Sequence, residues 1–219
     1  METKACNLEL QGNETLLEIE NLTIERAGNV LCQGLGVFLP SGVTLCVQGK
    51  NGIGKSTLLA TLAGIRPPKS GVVRVWDEDV YKERLAYAED VGFLGHNLAL
   101  WPGLSVIENI SFFAKAAQSS ESIEAAIAYW ELEEFTNQAV RKLSAGWQKR
   151  VALARLMAMN ANVWILDEPF SALDFSAKQR LENAIEIRAQ EGVVIYSHHG
   201  ALINPQHVVL QLEDFIACE

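Results

Sequence analysis

Residues 47–64 read VQGKNGIGKSTLLATLAG, a stretch that fits the phosphate-binding pattern G-x-x-x-x-G-K-[ST]. Its glycines allow backbone N–H groups to approach a polyphosphate, and the start of the next helix adds positive potential. The predicted nucleotide-binding loop consists of Gly49, Lys50, Asn51, Gly52, Ile53, Gly54, Lys55, Ser56 and Thr57. We expect Lys55 to reach the β- and γ-phosphates of a nucleotide and Ser56 to ligate Mg²⁺.

Two adjacent acids follow a second apolar run. VWIL at 163–166 precedes Asp167 and Glu168, and at the carboxyl end of a parallel strand both acids would lie beside the nucleotide crevice. Asp167 is expected to anchor the Mg²⁺ shell and Glu168 to orient and polarise an attacking water. A nucleotide kinase has no need of a water-directed acid here, so hydrolysis is the better interpretation.

The surrounding patterns predict an α/β fold. β-like patterns at 16–24, 30–39 and 71–76 indicate an antiparallel β subdomain, and helical spacing over 104–135 indicates a small helical insert. Strands 43–48, 163–166 and 193–197, with helices at 148–159 and 177–190, indicate a mostly parallel sheet. We therefore predict one nucleotide-binding domain over 1–219, with a helical subdomain at about 97–150 and a loose extension at 1–15.

Composition narrows the class of protein. The chain has 219 residues, 49% of them hydrophobic, which excludes a disordered protein, and its net charge of −9 argues against a general nucleic-acid binder. We expect no secretory signal and no membrane span, because the apolar run VALARLMAM is broken by Arg155. The four cysteines show no C-x-x-C spacing, so we expect neither a metal site nor a disulfide. His198 and His199 would point to opposite faces of a strand, so joint metal coordination is not expected.

Five ordered motifs resemble those of ABC transporter ATPases. They are the loop at 49–57, LSAGWQKR at 143–150, ILDEP at 165–169, SALD at 171–174 and YSHH at 196–199. The resemblance runs from about Leu17 to Leu212 and implies the ABC ATPase fold with ATP and Mg²⁺ as cofactors. It also implies that Glu168 is the catalytic base, that Asp167 is on Mg²⁺ and that His198 contacts the γ-phosphate.

The same resemblance implies that two copies act together. Ser144, Ala145 and Gly146 correspond to the family's signature motif, and Asp174 to a loop at the dimer interface. Ser144 can N-cap the next helix, whose N-terminus would present N–H groups to the γ-phosphate bound by the other copy. The resemblance thus implies an ATP-sandwich homodimer.

Several residues depart from the family pattern. Ala145 and Trp147 replace a glycine and a glutamine of the signature motif. His96 stands where a glutamine usually contacts Mg²⁺ and water and relays to the membrane partner, so it is a candidate metal ligand that also brings pH sensitivity. Arg26 stands where an aromatic usually stacks on adenine; a guanidinium can stack on a base, but a solvated surface cation is an equal alternative.

A narrower resemblance concerns the transported substrate. LSAG, KRVALARL, WILDEPFSALD and GFLGH are similar to the ATP-binding subunits of cytochrome c maturation systems. This implies a polytopic membrane subunit as partner, a role in haem handling and a place at the cytoplasmic face of the inner membrane. The sequence has no C-x-x-C-H motif, so we do not expect direct haem binding. The negative net charge likewise gives no reason to expect binding to nucleic acid.

Three alternatives to this function remain: a transporter ATPase for another substrate, a soluble ABC protein and a scaffold without turnover. Trp101 either belongs to the core or lines a groove for the membrane partner.

Overall fold

A parallel sheet brings the predicted motifs to one edge. The computed structural model describes residues 8–9, 15–82, 87, 90–117, 119, 122–200 and 202–216. The parallel strands are β4 (Val43–Gln48), β7 (Val91–Leu94), β8 (Val163–Leu166), β9 (Val193–Ser197) and β10 (Val208–Gln211), in the order β10-β4-β9-β8-β7. All four pairings are parallel. Because β4, β9 and β8 are neighbours, the segments that follow them leave the sheet side by side.

The second sheet is mostly antiparallel. It contains β1 (Leu8–Glu9), β2 (Thr15–Arg26), β3 (Asn29–Pro40), β5 (Ser70–Val75) and β6 (Glu78–Asp79), in the order β1-β3-β2-β5-β6. Strand β1 pairs in parallel with β3, so the prediction of a loose extension is wrong for these two residues. The remainder of that extension, except Thr15, lies outside the described residues. Such a short non-local pairing carries no periodic signal that a sequence could show.

Within the described residues, five α-helices have defined bounds. They are α1 (Lys55–Leu62), α2 (Val106–Ala116), α3 (Ile123–Tyr129), α4 (Ala145–Ala158) and α5 (Phe175–Glu191), with 3-10 turns at Glu133–Phe135, Val140–Lys142 and Leu212–Phe215. Ser105 and Glu108 form a capping box at the start of α2, which fixes where the helical insert begins. Within the described ranges, no helix has the length and apolarity needed to cross a bilayer.

Helix α4 carries a buried arginine that fixes a loop. The Arg155 guanidinium donates to the carbonyl oxygens of Leu98 at 2.9 Å and Ala99 at 3.0 Å. It also lies 4.5 Å from the ring centroid of Phe113 on α2. Burial lowers the pKa of Arg155 to about 10. This residue therefore joins α4, α2 and the segment that follows β7.

Removing this anchor should destabilise the protein. We expect Arg155→Ala to lower the free energy of unfolding by about 2 to 4 kcal/mol, because it removes a buried side chain and leaves two loop carbonyl groups without their donor. Urea denaturation measures the change. Arg141→Ala, at an exposed position, is the control and should stay within about 0.5 kcal/mol of the unmodified protein. Equal effects of the two variants would show that the buried contacts do not contribute to stability.

Candidate nucleotide-binding site

The glycine-rich loop connects β4 to α1. Gly54 occupies the N-cap position of α1 with φ of 122°, a conformation that L side chains rarely adopt. A β-carbon at this position would also lie 3.1 Å from Cβ of Leu31. Backbone conformation and space therefore both require glycine here, and the N–H groups that open α1 are left facing the loop.

Lys55 is the first residue of α1 and is only 6% exposed. Its ammonium donates to the carbonyl oxygens of Gly49 at 2.7 Å and Lys50 at 3.0 Å. Burial lowers its pKa, while Glu168, Glu213 and Asp167 act in the opposite direction. The loop thus holds a partly desolvated cation that a polyphosphate could attract away from two carbonyl groups.

The two predicted acids follow β8. Asp167 is buried, and its carboxylate accepts a hydrogen bond from Oγ of Ser197 at 2.8 Å. The same Oγ accepts the backbone N–H of Glu168 at 2.8 Å. Ser197, the last residue of β9, therefore ties both acids to the neighbouring strand.

The backbone of Glu168 is held in an unusual conformation. Its φ is 45°, which costs free energy for a residue other than glycine and is typical of functional sites. Its carbonyl oxygen accepts hydrogen bonds from Oγ of Ser171 at 2.8 Å and from Nζ of Lys149 at 3.2 Å. Burial lowers the pKa of Lys149, against the attraction of Asp167 and Glu168. These contacts fix where the Glu168 side chain leaves the main chain.

A cavity of about 150 Å³ joins the loop to the acid. Arg26 and Leu31 from the antiparallel sheet line one part of it, and Glu168 lines another. The rest of the lining is Asn51, Gly52, Gly54, Lys55, Ser56 and Thr57. The structure therefore brings the predicted loop, Arg26 and Glu168 together around one space.

The oxygen donors near this cavity fit Mg²⁺. Ser56 is exposed and lines the cavity, and Asp167 is a buried carboxylate that directly follows β8. A hydroxyl and a carboxylate are the hard oxygen ligands that this ion prefers. His96, the third predicted ligand, is exposed two residues after β7. Its loop starts close to Asp167, because the Asp167 N–H donates to the Leu94 carbonyl at 2.7 Å.

The two adjacent histidines lie beyond β9, which ends at Ser197. The prediction that placed them on a strand is wrong, because the extended pairing stops before them. The His198 ring packs against the Phe170 ring with centroids 5.8 Å apart. His199 Nε2 lies 2.8 Å from Oε1 of Glu168. The predicted γ-phosphate contact, His198, and its neighbour His199 thus line one cavity together with Glu168, but they contact different side chains in it.

The signature residues and the predicted interface loop form a second cavity, of about 230 Å³. Its lining is Ser144, Gly146, Trp147, Arg150, Ala172, Leu173 and Asp174. A β-carbon on Gly146 would lie 2.9 Å from the Ala172 carbonyl oxygen, so glycine permits the close approach of these segments. Ala145 is the first residue of α4. Ser144 holds the N-cap position, but among the described residues its hydroxyl makes no capping bond, so that part of the prediction is wrong.

Ionic and aromatic contacts join this second cavity to the helical insert. Arg150 pairs with Glu131 at 2.5 Å and with Asp174 at 2.7 Å. Its guanidinium carbon lies 4.5 Å from the ring centroid of Trp147, which in turn packs on Phe135 at 4.6 Å. Asp174 also accepts the Ala177 N–H at 2.8 Å, the main cause of its lowered pKa. Trp147 is therefore integrated into packing rather than left as a lone surface aromatic.

Sequence reasoning missed four residues at the first site: Lys149, Ser197, His199 and Glu213. Glu213 accepts the Lys50 N–H at 2.8 Å, and this bond is the main cause of its lowered pKa. It is separated from the loop by 163 positions, so no local pattern could reveal the contact. Ser197 and His199 belong to the YSHH motif, but their contacts with Asp167 and Glu168 depend on the pairing of β9 with β8.

Comparison with known proteins agrees with this geometry. The family model described as ABC transporter matches residues 32–171. The chain belongs to the ABC transporter family. It is an ABC-type ATPase with a nucleotide-binding site, and the predicted fold class is confirmed by solved relatives.

Named relatives of this ABC ATPase cover most of the chain. It is 38% identical over 187 residues to "Cytochrome c biogenesis ATP-binding export protein CcmA" of Wolbachia pipientis wMel, covering 85% of this chain and 90% of that protein. The protein of that name from Escherichia coli strain K12 is 36% identical over 188 residues, with the same coverage. A putative ABC transporter ATP-binding protein from Pyrococcus furiosus superposes with a TM-score of 0.80 at 25% identity, covering 92% of this chain and 99% of that one.

Proposed function

We propose that this ABC ATPase is the ATP-hydrolysing subunit of a transporter that serves cytochrome c maturation, and that haem handling is the process it drives. The observation that carries the ATPase role is that Lys55 and Glu168 line the same cavity. The cytochrome c role is supported by the names of the Wolbachia and Escherichia coli relatives, at 38% and 36% identity.

The residues divide the chemistry among them. The loop from Gly49 to Thr57 would hold the polyphosphate through its N–H groups, with Lys55 compensating the β- and γ-phosphate charge. Ser56 and Asp167 would hold Mg²⁺, which neutralises developing charge when bound. Glu168 would accept a proton from the attacking water, and His198 would contact the γ-phosphate. Arg26, at the rim of the cavity, would stack on the base.

A second copy of the chain would complete the site. The signature residues Ser144 and Gly146, on either side of Ala145, line a cavity separate from the one that contains Lys55. In two copies related by a twofold axis, each signature cavity can face the other copy's nucleotide. The neighbouring Asp174 would then lie at the dimer interface. A solved relative described as the dimeric post-hydrolysis state of a cassette bound to ADP and Pi shares the fold, with a TM-score of 0.73.

The membrane subunit would dock on the helical insert, at the cytoplasmic face of the inner membrane. Trp101 is 44% exposed and Phe112 is 46% exposed, with ring centroids 4.3 Å apart. Of the two alternatives for Trp101, this half-exposed packing favours the groove. Aromatic side chains with such exposure are typical anchors for a partner. We do not propose that this subunit itself binds haem or nucleic acid.

Co-expression with a candidate polytopic subunit tests the proposal. We expect the two proteins to co-purify, phosphate release to depend on ATP and Mg²⁺, and loss of this chain from its host to abolish covalent haem in c-type cytochromes. Phosphate release together with normal cytochromes would favour another substrate. Absence of both phosphate release and a membrane partner would contradict the transport role.

His96 offers a test of communication with that partner. We expect His96→Ala to leave ATP affinity within about threefold, lower the hydrolysis rate and weaken stimulation by the membrane subunit, since coupling between sites is typically about 1 to 3 kcal/mol. The measurement is ATPase activity with and without the membrane subunit, from about pH 6 to 8, the range in which imidazoles change charge. Unchanged rate, stimulation and pH profile would show that His96 is only a loop residue.

A further inference from the structure

The side chain of Glu168 contacts His199, a residue to which none of the sequence motifs gives a role. Its carboxylate oxygen Oε1 lies 2.8 Å from Nε2 of His199, within ordinary hydrogen-bond distance. An ionised carboxylate only accepts hydrogen bonds, so a hydrogen bond between these two atoms requires a proton on Nε2. His199 is 39% exposed and Glu168 45% exposed at the side chain, so this contact lies at the mouth of the site.

The loop that presents His199 is itself well placed. Ser197 is buried and hydrogen-bonds both the Asp167 carboxylate and the Glu168 N–H. The segment that follows β9 therefore begins next to the two acids. Gly200, immediately after His199, has φ of 109°, a conformation that glycine adopts without cost. His198 turns instead toward Phe170. The two histidines therefore contact different side chains, His198 that of Phe170 and His199 that of Glu168.

We propose that His199 is a positioning residue that holds the Glu168 carboxylate in its working orientation. This inference rests on the proposed role of Glu168 as general base. The backbone of Glu168 is fixed by Ser197, Ser171 and Lys149, but these contacts leave the side-chain torsions free. A hydrogen bond to Oε1 restricts those torsions and leaves Oε2 to accept the proton from water, because a base must lie within hydrogen-bond reach of the proton it removes.

The effect should fall on turnover and not on ATP binding. His199 is absent from the lining of the cavity that holds Lys55, so its removal should leave the polyphosphate contacts intact. We expect His199→Ala to lower kcat about fivefold to twentyfold, a range consistent with one partly exposed hydrogen bond to a charged group. The KM for ATP should stay within about twofold of the unmodified protein.

A conservative variant separates positioning from simple packing. The amide nitrogen of glutamine can donate from nearly the same place as Nε2, so His199→Gln should recover most of the lost kcat. His199→Leu fills similar volume without a donor and should resemble His199→Ala. The assay is phosphate release from the full chain with its membrane subunit over a range of ATP concentrations. Equal rates for the glutamine and leucine variants would overturn the inference.

A double variant distinguishes this inference from the proposed function. In a Glu168→Gln background, His199→Ala should have little further effect, because the base it positions is already lost. If Glu168→Gln alone leaves turnover unchanged, the role of Glu168 as general base fails, and this inference fails with it. If Glu168→Gln abolishes turnover while His199→Ala alone does not alter kcat, only the role of His199 fails.

Discussion

Replacement of Lys55 by alanine is expected to lower ATP hydrolysis by at least about a hundredfold, the usual cost of removing one preorganised charge-stabilising group. The ammonium is nearly buried and rests on two loop carbonyls. It is therefore already desolvated and close to where the β- and γ-phosphates would lie. Alanine removes the cation and leaves these carbonyl groups facing the polyphosphate. Phosphate release with the membrane subunit and nucleotide binding by calorimetry measure the two effects.

Lys69 provides the matched control for Lys55. Its side chain is 53% exposed and pairs with Glu25 in the antiparallel sheet, and neither residue lines the cavity around Lys55. We expect Lys69→Ala to retain full activity, because exposed ion pairs contribute little. An Lys55→Ala protein that hydrolyses ATP at the unmodified rate would contradict the assignment of this loop as the nucleotide site.

Replacement of Glu168 by glutamine should separate binding from hydrolysis. The amide keeps the shape of the side chain but is a very poor base, so we expect turnover to fall by about 10² to 10⁴. ATP should still bind, and the variant should accumulate as a closed homodimer because hydrolysis no longer releases it. Sedimentation with ATP and Mg²⁺ measures the dimer, and phosphate release measures turnover.

Two controls accompany the Glu168 experiment. Glu191→Gln, at the exposed end of α5, should leave both turnover and association unchanged. ADP in place of ATP should leave Glu168→Gln monomeric, because the γ-phosphate is the group that the second copy would contact. A Glu168→Gln protein that stays monomeric at saturating ATP, while the unmodified protein is active, would contradict the trans site.

Contiguous motifs made the nucleotide-binding part of the site predictable. The loop around Lys55 and the pair Asp167 and Glu168 are each specified by a short run that follows an apolar strand. The parallel sheet then brings such runs to one edge, because its strands all point the same way. Arg26 could be placed only through family resemblance, yet it lines the same cavity as the loop.

Contacts between distant segments could not be predicted from local patterns. The carboxylate of Glu213 reaches the Lys50 N–H from the last 3-10 turn, and its position depends on how β10 pairs with β4. The sequence pattern predicts that His199 lies on a strand, but β9 ends two residues earlier and the following loop brings His199 next to Glu168. Both contacts arise from strand ends, whose limits are the least certain part of a sequence-based prediction.

The buried guanidinium of Arg155 fixes one point near the C-terminus of α4. Arg155 fastens the helix to Leu98 and Ala99 beyond β7, while Ser144 lies at the opposite end. Eleven residues separate the two positions, a span of about 16 Å in an α-helix. A tilt of about 10° around Arg155 would therefore carry the Ser144 end through about 3 Å, the length of one hydrogen bond. A small shift of Leu98 and Ala99, just before Trp101, would thus reach the signature cavity only by lengthening the contacts of Arg150 with Glu131 and Asp174.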